Sequence, residues 1–224
     1  MKEFKKYIIE FFVIVFSIIA AFGLERWSDN LNEFDKQVEM IIGLENELTA
    51  NISAIERMIS LDSSTTAGNA IILDFLNNKN QDYDSSLSYY FGRMNTYSLF
   101  FPKRIAFETL KSNGLDLIEN DTLLGNIVEL FDQTYLESNH DMELKKERYF
   151  YGNTIMLKHF TTVGRNLKWP NNVMAIIEDT EFKNWLTHIH DSQLNLINLA
   201  RDQLMKTKQL RNQVRKEITR LKYH

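Results

Sequence analysis

The sequence predicts an all-α protein: an N-terminal transmembrane helix followed by an antiparallel helix bundle with long first and last helices. Three observations predict it. Turn-formers are scarce, with 8 Gly and 2 Pro in 224 residues, too few to punctuate a many-stranded β protein. Apolar residues recur at helical spacing along most of the chain. One stretch near the N-terminus is almost continuously apolar.

That stretch runs from Tyr7 to Leu24, 18 residues with a single ionisable group, Glu10. At about 1.5 Å per residue a helix of this length covers about 27 Å, close to the roughly 30 Å hydrocarbon core of a bilayer. Trp27 follows at the position of an interfacial aromatic. A cleaved signal peptide competes, because Lys2, Lys5 and Lys6 make a basic start and Ala21-Phe22-Gly23 resembles a cleavage site. The apolar run is longer than a signal peptide's usual core of about 7–15 residues, and it carries a glutamate, so a retained anchor is the preferred reading. Glu10 has two readings: a functional intramembrane carboxylate, or a snorkelling group near the interface with Lys6 four residues earlier on the same face. Ser17 and Ala21 form a small-xxx-small pair that permits close helix association. The three lysines before the segment, against only Arg26 and Lys36 in the 20 residues after it, favour a cytoplasmic N-terminus and a body on the other side. Residues 1–27 are therefore expected as anchor and 28–224 as a helical bundle domain.

Beyond Trp27, Leu31, Phe34, Val38, Ile41, Leu48, Ile52, Ile55 and Ile59 follow heptad spacing, interrupted only by Glu45. This predicts a long amphipathic first helix, which can break at the Asn30/Glu33 capping box and ends or is interrupted at the polar run Asp62-Ser63-Ser64-Thr65-Thr66. Residues 77–82 read as the most loop-like segment. Phe101-Pro102 is expected to open a short helix closed by Gly114. Asn120 or Asp121 can cap the next helix, which carries Leu124, Ile127, Val128, Phe131 and Tyr135, and helical character continues to about Phe160. Residues 164–172, with Pro170, read as a connector. Thr180 can cap a last helix to about Leu221, whose apolar stripe wavers at Gln193 and Thr207. Short connectors between long helices require antiparallel neighbours.

Charge is uneven, with eight basic residues against two acidic ones in residues 201–224. Arg201, Lys208, Arg211, Arg215 and Lys222 fall on one helical face. They suit pairing with Glu33, Glu39 and Glu47 beside the first helix's seam, or contact with anionic lipid or a partner; nucleic acid is not expected.

Catalytic signals are absent from the sequence. With no Cys, thiolate metal sites, disulfides and cysteine nucleophiles are excluded. No phosphate loop, dinucleotide fingerprint, nucleophile elbow or His-Glu-x-x-His pair occurs. His188-Ile189-His190-Asp191 is the nearest approach to a ligand cluster, but residues two apart on a helix point away from each other. No enzyme activity, cofactor or metal is expected.

The segment Glu10–Glu33, with its glutamate heading an Ile/Val/Ala-rich helix followed by Trp27, resembles the N-terminus of a family of single-pass membrane proteins of unknown activity from Gram-negative bacteria. Residues 106–115 (AFETLKSNGL), followed by Ile118 and Leu123-Leu124, resemble that family's internal helix–glycine–helix segment. The resemblance implies a membrane anchor, a helical domain and a role for the glutamate at Glu10; it brings no activity. With the flanking charges, the expected location is the bacterial inner membrane, with the N-terminus cytoplasmic and the helical domain periplasmic. The expected function is a membrane-anchored interaction or scaffold protein that engages the lipid bilayer and a protein partner or a second copy. The alternative is an extracytoplasmic sensor whose aromatics Tyr89, Tyr90, Phe91, Tyr97, Phe100 and Phe101 line a ligand pocket.

Overall fold

The computed structural model describes the backbone of residues 2–78, 82–113, 115, 118–164 and 167–223, with side chains except those of 2–10, 28–32, 113 and 138–144. The side chains of Glu10 and Leu31, the loop residues 79–81 and Gly114 thus lie outside the described residues. The elements are α1 (Lys2–Asn77), α2 (Leu87–Arg93), α3 (Ile105–Asn113), α4 (Asp121–Glu129), a π-helical turn (Leu130–Thr134), α5 (Tyr135–His159), β1 (Phe160–Gly164), β2 (Leu167–Pro170), α6 (Val173–Glu178) and α7 (Thr180–Lys222).

The chain is mostly helical, and its long first and last helices form the frame. α1 has 76 residues and α7 has 43, lengths of about 114 and 65 Å at about 1.5 Å per residue. They run antiparallel, since Arg215 pairs with Glu45, Lys208 with Glu56, and Gln193 with Asn69. α1 neither breaks at Asn30/Glu33 nor ends at Asp62–Thr66, as the polar run suggested. Asp62, Thr65, Thr66 and Asn69 continue the buried face begun by Ile55 and Met58, at spacings of three and four. Asp62 and the Asn69 amide are met by other elements and Thr66 bonds the Asp62 carbonyl one turn back, so the helix keeps both its backbone bonds and its burial.

Two apolar cores sit along this frame. The first holds Ile41, Leu44, Leu48 and Ile55 of α1 with Phe107, Leu110, Ile127, Phe131, Tyr135, Leu210 and Val214. The second, toward the C-terminal end of α1, holds Ile72 and Leu76 with Phe91, Met94, Phe160, Ile176, Phe182 and Trp185.

α3 begins at Ile105 rather than at Phe101. Asn51 grips the backbone of Lys103, accepting from its N–H at 2.8 Å and donating to its carbonyl at 3.0 Å. One turn earlier on α1, buried Glu47 accepts from the N–H groups of Ala106 (2.8 Å) and Phe107 (3.3 Å). A carboxylate of another helix thus does the work of an N-cap and meets the positive end of the helix dipole.

Residues 121–159 form one helical run, started by the Asn120 side chain accepting from Leu123 N–H. The π turn adds a residue to one loop of the helix. It lets Leu130, Phe131 and Tyr135 all face the core. There Phe131 stacks on Phe107 (centroids 4.6 Å apart, planes 9° apart) and meets Tyr135 edge-on.

The expected connector at 164–172 is a β-hairpin, the one departure from all-α among the described residues. β1 and β2 pair antiparallel with a register shift at Gly164. β-Branched and aromatic residues suit the strand, and Phe160 is buried against Phe91 and Phe182.

Candidate functional site

Two features of this frame are not explained by the cores: a bare apolar helix at the N-terminus and a polar waist between the cores.

Along residues 11–27 of α1 every side chain but half-buried Val15 is exposed, as are residues 33–36. Phe11, Phe12, Phe16, Ile19, Phe22 and Leu24 are each more than 60% exposed, and Trp27 is 63% exposed. Water alone would not tolerate so large a continuous apolar surface, which marks an interaction surface. Ser17 donates back to the carbonyl of Val13 at 2.7 Å, which satisfies its hydroxyl within the helix; Ala21 is exposed beside it. Among the described residues no helix is long and apolar enough to cross a membrane. The apolar run starts at Tyr7, so its first four side chains lie outside the described residues.

The waist is built around Asp62, which is 4% exposed. Its Oδ1 accepts from Ser98 N–H at 2.9 Å; its Oδ2 lies 3.4 Å from Lys145 Nζ, which also donates to Ser98 O at 3.0 Å. One turn along α1, Thr66 donates to the Asp62 carbonyl. Asn69 donates to Met94 O (3.2 Å) and to Gln193 Oε1 (3.0 Å), and Gln193 donates to Thr96 O at 3.1 Å. Gln193 is therefore the point where α7, α1 and the loop after α2 are tied together. In the sequence this position shows only as a waver in the apolar stripe. Asn69 Oδ1 remains buried with no partner. A cavity of about 30 Å³ beside Asp62, Asn95, Lys145 and Gln193 has room for about one or two waters. Its walls are polar enough to hold them, but it is too small for a metabolite.

Between α5 and α7 an open groove of about 710 Å³ is lined by Arg148, Tyr151, Asn184, Trp185 and His188, with Glu147 and Glu181 among its acidic residues. Near its far end, Asp179 caps α7. It accepts from Phe182 N–H at 3.0 Å and pairs with Lys158 Nζ at 3.0 Å. These contacts, the Phe182 N–H first, hold its carboxyl down to about 2. His159 Nε2 is 2.8 Å from the same carboxylate but out of line for a ring N–H bond, so that contact is electrostatic only.

Other anticipated residues fall as follows. In the basic stripe, Lys208 meets Glu56 at 2.7 Å and Arg215 meets Glu45 at 2.7 Å, so the acidic partners are not the expected Glu33, Glu39 and Glu47. Glu47 is occupied with α3, and Glu45, in the seam by spacing, is an ion-pair anchor with Thr49 as a second partner. Arg211 Nε is buried without a hydrogen bond, and Lys222 is exposed. The six aromatics do not line one pocket: Phe91 sits in the second core, Phe100 in the first, Tyr97 lies edge-on to Tyr149, and Tyr89 and Phe101 are exposed. His188 is exposed and the His190 Nδ1 is buried. Among the described residues no three His, Asp or Glu side chains come close enough to hold a metal ion.

Local periodicity does not reveal the waist, because its members are polar residues on four distant segments, α1, the loop after α2, α5 and α7; the one visible signal is polar residues kept at heptad positions. Compared with protein-family models, curated proteins and solved structures, the chain matches none.

Proposed function

We propose that this chain is a membrane-anchored helical interaction or scaffold protein rather than an enzyme. Residues 7–24 lie in the inner membrane, the N-terminus is cytoplasmic, and the helical domain is periplasmic. The observation that carries the reading is the continuity of α1: the helix that exposes Phe11 to Trp27 also supplies the α1 side of both cores. Burying that apolar face in lipid removes the exposure, and the unbroken helix then holds the bundle at a fixed distance from the bilayer. The basic residues before the segment, few of which recur just after it, support the orientation.

The test is fractionation and protease accessibility of the full chain. It should stay in the membrane pellet after alkaline carbonate extraction, and a chain lacking residues 2–24 should be released. Protease added to spheroplasts should digest the body; digestion only after lysis reverses the orientation, and release of the full chain by carbonate removes the anchor.

A second reading, an extracytoplasmic ligand sensor, draws support from the α5–α7 groove, whose 710 Å³ falls in the range of about 300–1,000 Å³ typical of small-molecule sites. Native mass spectrometry of the detergent-purified chain separates the two: a retained small molecule lost on Arg148→Ala favours the sensor, and stoichiometric protein partners without one favour the scaffold.

A further inference from the structure

The face of α1 that α7 covers inside the bundle does not stop where α7 stops. Within the bundle this seam is Ile41, Glu45, Leu48, Ile52, Ile55 and Ile59, spaced alternately by four and three. Counting toward the N-terminus with the same alternation gives Val38, Phe34, Leu31, Trp27, Leu24, Ala20, Ser17 and Val13. The register set by Arg215 with Glu45 and Lys208 with Glu56 brings the end of α7, Lys222, to the level of Val38, which is the first seam residue packed on the core. From there toward the N-terminus nothing of this chain occupies the described part of the seam. Trp27 is 63% exposed and Phe34 37% exposed.

Lipid cannot cover all of it. Phe34 lies ten residues past Leu24, about 15 Å farther along the helix at about 1.5 Å per residue, outside the hydrocarbon if the anchor ends at Leu24. We propose that a second copy of this chain covers the seam, the two α1 helices pairing as a parallel coiled coil from the outer half of the membrane segment to Val38, where α7 of each copy takes over. This inference rests on the anchored reading, because a shared bilayer presents two copies in parallel and in register.

The sequence suits that occupant. Leu24, Leu31 and Val38 fall at one core position of the heptad and Trp27 and Phe34 at the other, so two copies present matching knobs and holes. The flanking positions are Ser28, Asn30, Asp35 and Gln37, which carry one charge between them and set no run of like charges against each other. Inside the membrane the same column carries Ser17 and Ala20, small enough for close helix approach.

The absence of cysteine makes the test direct. Single substitutions Leu24→Cys, Trp27→Cys and Phe34→Cys place a thiol on the seam, whereas Arg26→Cys, Glu33→Cys and Lys36→Cys place it off the seam. Each full-length variant is oxidised in native membranes and read on a non-reducing gel, with carbonate extraction run alongside. Seam variants should give disulfide-linked homodimers at least ten-fold above off-seam variants, and adding Phe34→Glu to Leu24→Cys should lower its yield. Equal yields at all six positions, no seam dimer, or seam adducts with the mass of another protein would overturn the pairing. If the chain is extracted by carbonate the anchor fails, and the same pattern read on the extracted chain still decides the pairing.

Discussion

The Asp62–Lys145 contact at the waist offers the sharpest quantitative test of how the two cores are joined. Both side chains are nearly buried, at 6% and 10% exposure, and their separation of 3.4 Å is long for an ion pair. Replacing Asp62 by Leu removes the acceptor of the Ser98 N–H, an unmade buried bond worth about 1–3 kcal/mol. It also leaves Lys145 buried with one carbonyl, and breaking a buried pair costs about 3–5 kcal/mol, the lower end suiting so long a contact. The two costs overlap, so Asp62→Leu should destabilise by about 3–4 kcal/mol. Lys145→Met leaves the carboxylate its Ser98 bond and should cost about 2–3 kcal/mol.

The double variant removes both charges and fills the space with apolar atoms, so it should lose about 1–3 kcal/mol less than the sum of the singles. Thermal melts of the full chain in detergent, followed by circular dichroism, provide the assay. For a chain of this size each kcal/mol moves Tm by about 2–4 °C, so Asp62→Leu should melt about 6–16 °C low. Losses that add to within about 0.5 kcal/mol, or singles costing less than about 1 kcal/mol, would refute the view that this pair holds α5 to α1.

Four further expectations use the same measurement. Gly152→Ala should destabilise by about 1–3 kcal/mol, because its Cβ would sit 2.5 Å from Trp185 Cζ2 and 2.8 Å from the Asn95 amide. Gly125→Ala, with nothing within 4 Å, should instead stabilise α4 by about 0.5–1 kcal/mol. Asp179→Asn should cost about 1–2 kcal/mol after allowance for solvent screening, and because the folded carboxyl sits at about 2 rather than 3.8, the wild type should lose this stability as pH falls from about 4 to 2 while the variant shows a flatter acid limb. Tyr135 is pushed up to about 12 by burial, so the unfolded chain ionises first and stability should fall as pH rises from about 10 to 12; Tyr135→Phe should remove that loss at a cost of about 0.5–1.5 kcal/mol for the bond to Thr207.

What could be read from the sequence was whatever depends on local periodicity. The apolar repeats gave the first and last helices, and Asn120 and Pro170 marked real punctuation. The misread places share one cause: a partner far away in sequence. Asp62 to Thr66 looks like a helix terminator because hydroxyls and carboxylates favour caps and turns. It stays helical because Ser98, Lys145 and Gln193, between 36 and 127 residues away, receive those groups. The sequence predicts the start of α3 four residues early because its cap is Glu47, 59 residues upstream of Ala106. The hairpin at 160–170 was hidden for the opposite reason: a strand of five residues is too short for its alternation to stand out from a helix end.

The same contrast explains why Glu45 and Asp62, two acidic residues on one buried face of α1, have different consequences. Glu45 lies at the seam's edge, 17% exposed, where Arg215 reaches it from α7 while its own head stays near water. A pair of that kind contributes at most about 1 kcal/mol, so its main effect is to fix which residue of α7 stands opposite which residue of α1. Asp62 sits where the apolar seam has given out, and there register and stability are no longer separable. A slip of α7 by one turn would part buried Gln193 from Thr66, Asn69 and Thr96, and each buried polar group left unpaired costs about 1–3 kcal/mol. Apolar side chains at these positions would accept such a slip. The polar waist therefore fixes the level at which α7 ends on α1, and with it the point near Val38 from which the seam toward the N-terminus is left bare.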